Sequence, residues 1–225
     1  RIRSLVRRKL DWDFVLEKTY QHCVTPLVYQ SLSSICPEEV PNRVLAELRD
    51  RANNNARYNL YRTAELIELL RLLESHGIPV LPFKGPTLSA VAYGSLALRE
   101  YGDLDILIDK KNLLTAKALF LSRGYRLASI PRSIKHFWSR RDLILESGDG
   151  LVRVELHWRL SGKHFSYALD SDGLWKHLHR VPLAGVSVRT LPPGDLLLYL
   201  CMHGSRHHWS RLLWVCDVAE LVQAR

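Results

Sequence analysis

The apolar period of this chain changes at about residue 77, and that change restricts its fold more than any single motif does. Before it, Val44, Leu48, Ala52, Ala56, Leu60, Ala64, Ile67 and Leu70 recur at steps of three or four, the spacing that turns one face of a long helix into a core. Asn53-Asn54-Asn55 interrupts that pattern, and asparagine competes for backbone hydrogen bonds, so a local weakening or kink is expected there. Gly77 and Pro79 end the helix. After them the apolar residues alternate or cluster in short runs. This predicts strands over residues 78–83, 103–109, 125–130, 142–146 and 151–158, with helices over 87–93 and 111–122. Ser147-Gly148-Asp149-Gly150 is a good hairpin turn between two of these strands. From about residue 161 the pattern loosens. A strand is expected over 186–191, a helix opening at Pro192-Pro193-Gly194-Asp195 with Asp195 as its cap, and a final helix over roughly 206–223. The expected organisation is an α+β fold: a helical region over 1–76, a small mixed sheet with helices over 77–160, and a mostly helical region over 161–225.

Composition sets the boundaries. With 47% hydrophobic and 24% charged residues, the chain has enough apolar surface to bury a core, which excludes disordered and collagen-like classes. No apolar run approaches the ~20 residues needed to span a bilayer, so no membrane partner is expected. Arg1-Ile2-Arg3 leads straight into amphipathic sequence rather than a signal pattern. The missing initial Met and the helical pattern at the far end suggest a piece trimmed from something longer. Cys23, Cys36, Cys201 and Cys216 form no C-x-x-C pair, as expected of reduced thiols in the cytoplasm. Lysine plus arginine number 32 against 23 acidic residues, a formal +9 that suits phosphate-bearing partners without choosing between nucleotide and nucleic acid.

The string Gly102-Asp103-Leu104-Asp105-Ile106-Leu107-Ile108 carries the most chemistry. In a strand, Asp103 and Asp105 project from one face while Leu104 and Ile106 enter the core. Two carboxylates about 7 Å apart on that face repel each other unless a cation lies between them. Taken alone, such a pair is better explained as a solvated strand edge. Residues 151–158 offer a second alternating strand, with Val152, Val154 and Leu156 on one face and Arg153, Glu155 and His157 on the other. If the two strands are neighbours, Glu155 becomes a third carboxylate at the same point; otherwise it is a surface residue paired with Arg153 or Arg159. Three carboxylates can hold the two divalent ions that clamp an in-line phosphoryl displacement, and Mg²⁺ suits oxygen ligands of this kind. Lys84-Gly85 sits between a strand and a helix, where a glycine admits close backbone approach and a helix N-terminus favours phosphate. No G-x-x-x-x-G-K-[ST] is present, which excludes P-loop chemistry.

Together these residues form a recognisable order: Lys84-Gly85-x-x-Leu88, Tyr93, Arg99, Gly102-Asp103-x-Asp105, Gly124-Tyr125, Glu155-Leu156-His157-Trp158 and Leu191-Pro192-Pro193-x-Asp195. His203-Gly204-x-x-x-His208 and Trp209-x-Arg211-Leu212-x-Trp214-x-x-Asp217 close it. From about Asp11 onward the chain resembles the largely uncharacterised bacterial nucleotidyltransferase family of the polymerase-β-like superfamily. The resemblance implies a polymerase-β-like core flanked by helical segments, with Asp103, Asp105 and Glu155 as catalytic carboxylates holding two Mg²⁺ ions. It implies a nucleoside triphosphate, ATP by first choice, whose nucleotidyl group moves to a hydroxyl acceptor with loss of pyrophosphate. Lys84, Gly85, Thr87, Arg99, His208 and Arg211 are then the expected nucleotide-binding residues.

One departure stands out. Gly85 is followed by Pro86, which has neither the hydroxyl nor the N–H that superfamily members usually place there. Lys84, Thr87 or Arg99 must replace that contact, or the fold has become an inactive module that binds nucleotide or RNA. The acceptor stays open among small molecule, peptide and protein, with nucleic acid less favoured because no dedicated RNA-binding motif is present. Histidines 203, 207 and 208 with Arg211 and Trp214 would form a cationic wall on one helix, with Asp217 orienting Arg211 or a histidine. The rivals there are a zinc site using His203, His207 and Cys201, and plain packing of a helix on the sheet.

Overall fold

The computed structural model describes residues 1–128, 141–160 and 173–224. The last two residues of the strand expected over 125–130 lie outside them. Four helices come first: α1 (Ile2–Val6), α2 (Trp12–Gln21), α3 (Thr25–Ile35) and α4 (Asn42–Ser75). Asp11 caps α2 by accepting from the Phe14 amide at 3.0 Å, and Val6, Leu16, Leu32, Cys36, Val44 and Leu48 form a separate apolar cluster among these helices.

Helix α4 runs unbroken for 34 residues, or about 51 Å at 1.5 Å per residue. The expected interruption at Asn53–Asn55 does not occur. Asn55 Nδ2 donates to the Ala97 carbonyl at 2.9 Å, and Asn59 Nδ2 donates to the carbonyls of Leu96 and Arg99 at 2.7 and 2.8 Å. Arg62 donates to the Tyr101 carbonyl at 3.0 Å. The amide groups therefore satisfy the backbone of the loop that leads into the aspartate strand, instead of competing with the helix that carries them.

A five-stranded mixed sheet follows, with order β1-β2-β5-β4-β3: β1 (Val80–Pro82), β2 (Asp103–Ile108), β3 (Arg126–Leu127), β4 (Asp142–Glu146) and β5 (Arg153–His157). The expected turn at Ser147–Gly150 joins β4 and β5 as an antiparallel pair. Only β2 and β5 pair in parallel among the described strands. One face of the sheet turns Leu104, Ile106, Leu143, Leu145, Val154 and Leu156 toward Leu66–Leu73 of α4 and toward helix α6 (Leu113–Ser122). The other face presents Leu81, Phe83 and Leu107 to helix α5 (Gly85–Tyr93) and to helix α7 (Pro193–Arg206), with Leu221 of helix α8 (Leu212–Gln223) in the same cluster. None of the described helices is long and apolar enough to cross a membrane.

Three expectations for the C-terminal third need correction. A hairpin of β6 (His179–Leu183) and β7 (Val186–Thr190) stands where only the second strand was expected; Pro182 and the exposed His179 and Arg180 hide the first. Asp195 is not the cap of α7: Pro192 holds that position without a side-chain bond, and Asp195 lies in the first turn, where its charge suits the helix dipole. The final helix expected over 206–223 starts later, because α7 runs to Arg206 and α8 begins at Leu212.

His208 and Trp209 between them have φ of +55° and +51°, costly for non-glycine residues. The Trp209 amide donates to the Gly204 carbonyl at 2.8 Å, and its ring lies so close to Gly204 that a Cβ there would meet ring carbons at 2.5–2.6 Å. Gly204→Ala would ordinarily stabilise a helix interior by about 1 kcal/mol. Here it is expected to destabilise the protein and expel Trp209, read as a red shift in tryptophan emission; a stabilised variant with unchanged emission would contradict this packing.

Candidate active site

Asp103, Asp105 and Leu107 alternate onto the face of β2 opposite Leu104 and Ile106. The parallel register then sets Asp105 beside Glu155, and Leu107 beside His157. This is the neighbouring arrangement that the sequence left conditional. Asp105 is 2% exposed, while Asp103 and Glu155 are half-buried. His157 Nε2 lies 3.1 Å from Asp105 Oδ1 and 3.5 Å from Glu155 Oε2. One donor atom each from Asp105, Glu155 and His157 falls within 4.8 Å of the others, the one such group among the described residues. Asp103 stands beside it rather than in it. Sequence reasoning put His157 on the right face but gave it no role; its place two residues after Glu155 on an alternating strand was the available signal.

The electrostatics divide the three carboxylates. Burial and the neighbouring Asp105 charge push Asp103 above the usual carboxylate range. Burial acts on Asp105 in the same direction, yet Lys84 and the His157 hydrogen bond outweigh it and hold Asp105 well below that range. The His157 hydrogen bond also lowers Glu155. Burial opposes charge on His157, but Asp105 and Glu155 together raise it.

The turn after β1 packs directly on these residues. Gly85 opens α5 with φ +52°, and a Cβ there would approach the Asp103 carbonyl to 3.2 Å, so a glycine lets the helix start lie against β2. Lys84 was expected to face a triphosphate. Its ammonium instead lies 3.0 Å from Asp105 Oδ2, with 9% of the lysine side chain and 1% of the aspartate side chain exposed. The contact is a close, buried ion pair. Burial disfavours the Lys84 ammonium, and Asp105 more than restores it. Thr87 is buried, and its hydroxyl donates to the Lys84 carbonyl at 2.7 Å.

Arg99 is tied down from far along the chain. Its Nε and Nη2 donate to the two oxygens of Asp217 at 2.7 and 2.9 Å, and the Tyr93 hydroxyl donates to Asp217 Oδ1 at 2.8 Å. Both members of the ion pair are buried, and Arg99 Nη1 has no hydrogen-bond partner among the described residues. The expected use of Asp217 to orient Arg211 or a histidine is thus corrected.

The expected helical wall is also rearranged. A series of ring contacts leads away from the carboxylates, from His157 to Phe83 (5.2 Å), Tyr199 (5.0 Å) and His203 (6.1 Å), then to His207 (4.7 Å), which lies 5.1 Å from Trp214. Burial, with the charges of Lys84 and His207, pushes His203 down to about 3, so it is neutral at physiological pH. His208 and Arg211 lie exposed in the 207–211 connection, with the Arg211 guanidinium 5.8 Å from the Trp214 ring centroid. His203, His207 and Cys201 do not assemble as a metal-ligand group.

This fold is similar to solved nucleotidyltransferases. The lincosamide antibiotic adenylyltransferase LnuA, in its lincomycin-bound crystal structure, matches with TM-score 0.50 and 15% identity over 72% of this chain and 97% of that one. The antibiotic-resistance factor ANT(2'')-Ia matches with TM-score 0.49 and 13% identity over 74% and 90%. An antigenic nucleotidyltransferase-like protein from Paracoccidioides brasiliensis gives TM-score 0.47 and 17% identity over 74% and 75%. No protein in the curated set matches the chain in sequence. The sequence profile of a family described as uncharacterised nucleotidyltransferase spans residues 8–225. A mixed sheet that brings Asp105 and Glu155 together, beside a glycine turn, is therefore the core of a chain that belongs to the uncharacterised nucleotidyltransferase family.

Proposed function

We propose that the protein is a Mg²⁺-dependent nucleotidyltransferase that moves a nucleoside monophosphate, from ATP in the first instance, onto a hydroxyl acceptor and releases pyrophosphate. The observation that carries this reading is the β2–β5 register: it places Glu155 beside Asp105 on the face that also bears Asp103. The donor chemistry fits a divalent ion, because one donor atom each from Asp105, Glu155 and His157 converges within 4.8 Å. Asp103, Asp105 and Glu155 would hold such an ion, which would supply neutralisation of the charge on the phosphates and the leaving group.

The chain's own residues do the rest. Glu155, partly exposed, takes the proton of the acceptor hydroxyl as its oxygen attacks the α-phosphorus, and the bond to pyrophosphate breaks. Gly85 and the start of α5 offer backbone close to the phosphates, and Arg99, held by Asp217, adds buried positive charge behind them. Thr87, His208 and Arg211 remain in the proposed nucleotide site as flanking groups, His208 and Arg211 from the exposed connection. Catalysis here is positioning plus electrostatics. Because LnuA acts on an antibiotic, small hydroxylated antibiotics are the first acceptors to try.

One observation favours a second reading, a nucleotide-binding module without turnover: Lys84 and Thr87 are already engaged inside the protein. Calorimetry with non-hydrolysable ATP, GTP, CTP and UTP analogues, with and without Mg²⁺, separates the two. Metal-dependent binding of one nucleotide, lost in Asp103→Asn, is the expected result. Binding that ignores both the metal and Asp103 would move the binding module to the front.

A further inference from the structure

We propose that Lys84 is a built-in replacement for one of the two metal ions, so that this site takes a single divalent ion. The inference deepens the transferase reading above and rests on it. Two ions about 3.5–4 Å apart rely on shared anionic ligands between them. Asp105 is the most deeply buried carboxylate of the cluster, and both of its oxygens already face protein donors: Oδ1 faces His157 Nε2 at 3.1 Å, and Oδ2 faces the Lys84 ammonium at 3.0 Å. The two sides differ in kind. On the His157 side, one donor atom each from Asp105, Glu155 and His157 lies within 4.8 Å of the others, so a cation that displaces the imidazole proton finds three donors there. Around Oδ2 the position is filled by a positive charge that belongs to the chain.

Charge supports the same division. Three carboxylates, Asp103, Asp105 and Glu155, less one ammonium leave two negative charges, which one divalent ion neutralises. Without nucleotide, a second ion would place uncompensated positive charge beside a buried ammonium, an arrangement that low-dielectric surroundings penalise heavily. The backbone fixes the ammonium in this place. Lys84 directly precedes Gly85, whose close approach to the Asp103 carbonyl pins the turn to β2, and the Lys84 carbonyl accepts from Thr87. An ammonium cannot be chelated away, so this half of the cation set is permanent.

The test counts ions. Mn²⁺ is titrated into the purified chain, alone and with a non-hydrolysable ATP analogue, and followed by calorimetry and electron paramagnetic resonance. The expected result is one Mn²⁺ per chain with an uncoupled spectrum in both conditions. Lys84→Met is expected to admit a second ion, giving two per chain and a spin-coupled spectrum. Lys84→Arg keeps the charge and is expected to hold the count at one; circular dichroism checks that both variants fold. A coupled pair in the wild type overturns the inference and leaves the transferase reading standing, as does a single ion in folded Lys84→Met. If Lys84→Met does not fold, the wild-type count decides alone. No ion bound in any variant overturns both.

Discussion

Asp103→Asn is expected to lower nucleotidyl transfer by about 10²–10⁴-fold, since a metal-site carboxylate is worth several kcal/mol of transition-state stabilisation at about 1.4 kcal/mol per tenfold. Stability should move the other way. Asp103 is raised by burial and by the charge of Asp105, with Glu155 adding to it, so removing its charge relieves repulsion. A gain of about 1 kcal/mol, or about 2–4 °C in melting temperature, is the expected size. Asp105→Asn is a poorer probe of the same chemistry, because it strips Lys84 of its counter-charge inside the protein. That loss should cost about 3–5 kcal/mol and confound any activity measurement. An Asp103→Asn protein that retains full transfer, measured as pyrophosphate release once an acceptor is in hand, would remove this aspartate from the mechanism.

Asp217→Ala should be the most damaging single change to the fold. It leaves the Arg99 guanidinium buried without a partner and the Tyr93 hydroxyl without its acceptor. Breaking a buried pair in this way costs about 3–5 kcal/mol, which corresponds to a fall of about 6–20 °C in melting temperature for a chain of this size. Replacing both Arg99 and Asp217 by leucine should recover most of that loss, because no charge is then stranded. A double-mutant cycle in urea checks the claim, and independent, additive effects would show that the pair is not coupled. Tyr93 is on α5 and Asp217 on α8, so the same changes should loosen the Lys84–Gly85 turn and, on the transferase reading proposed above, weaken nucleotide binding beyond the effect on stability.

The parts of this structure that were legible in the sequence are those set by local period. Alternation alone placed Asp103 and Asp105 on one face of β2, put Glu155 on the matching face of β5, and marked the turn between β4 and β5. What stayed hidden depends on partners far along the chain. Arg99 and Asp217 are 118 positions apart, and nothing in their neighbourhoods distinguishes a buried clamp from a phosphate contact or from a helix-face pair with Arg211. Asn55 and Asn59 look like helix-weakening residues until the loop that they satisfy is in place. The connection at 207–211, where the residue pattern reads as the start of the final helix, is held instead with Trp209 seated on Gly204. Lys84 pointing inward was likewise invisible, because a lysine before a glycine turn gives no sign of which side of the strand its ammonium takes.

The parallel pairing of β2 with β5 also has a kinetic side. The β4–β5 hairpin closes over a few residues, whereas Asp105 and Glu155 are about 50 positions apart in sequence and must meet through a crossover that includes α6. Loop-closure entropy places that meeting late, and the step must press like charges together as it proceeds. Assembly of the carboxylate cluster is therefore expected to be part of the rate-limiting barrier to folding. Refolding should accelerate with added salt or a divalent cation, while the early hairpin remains indifferent to both.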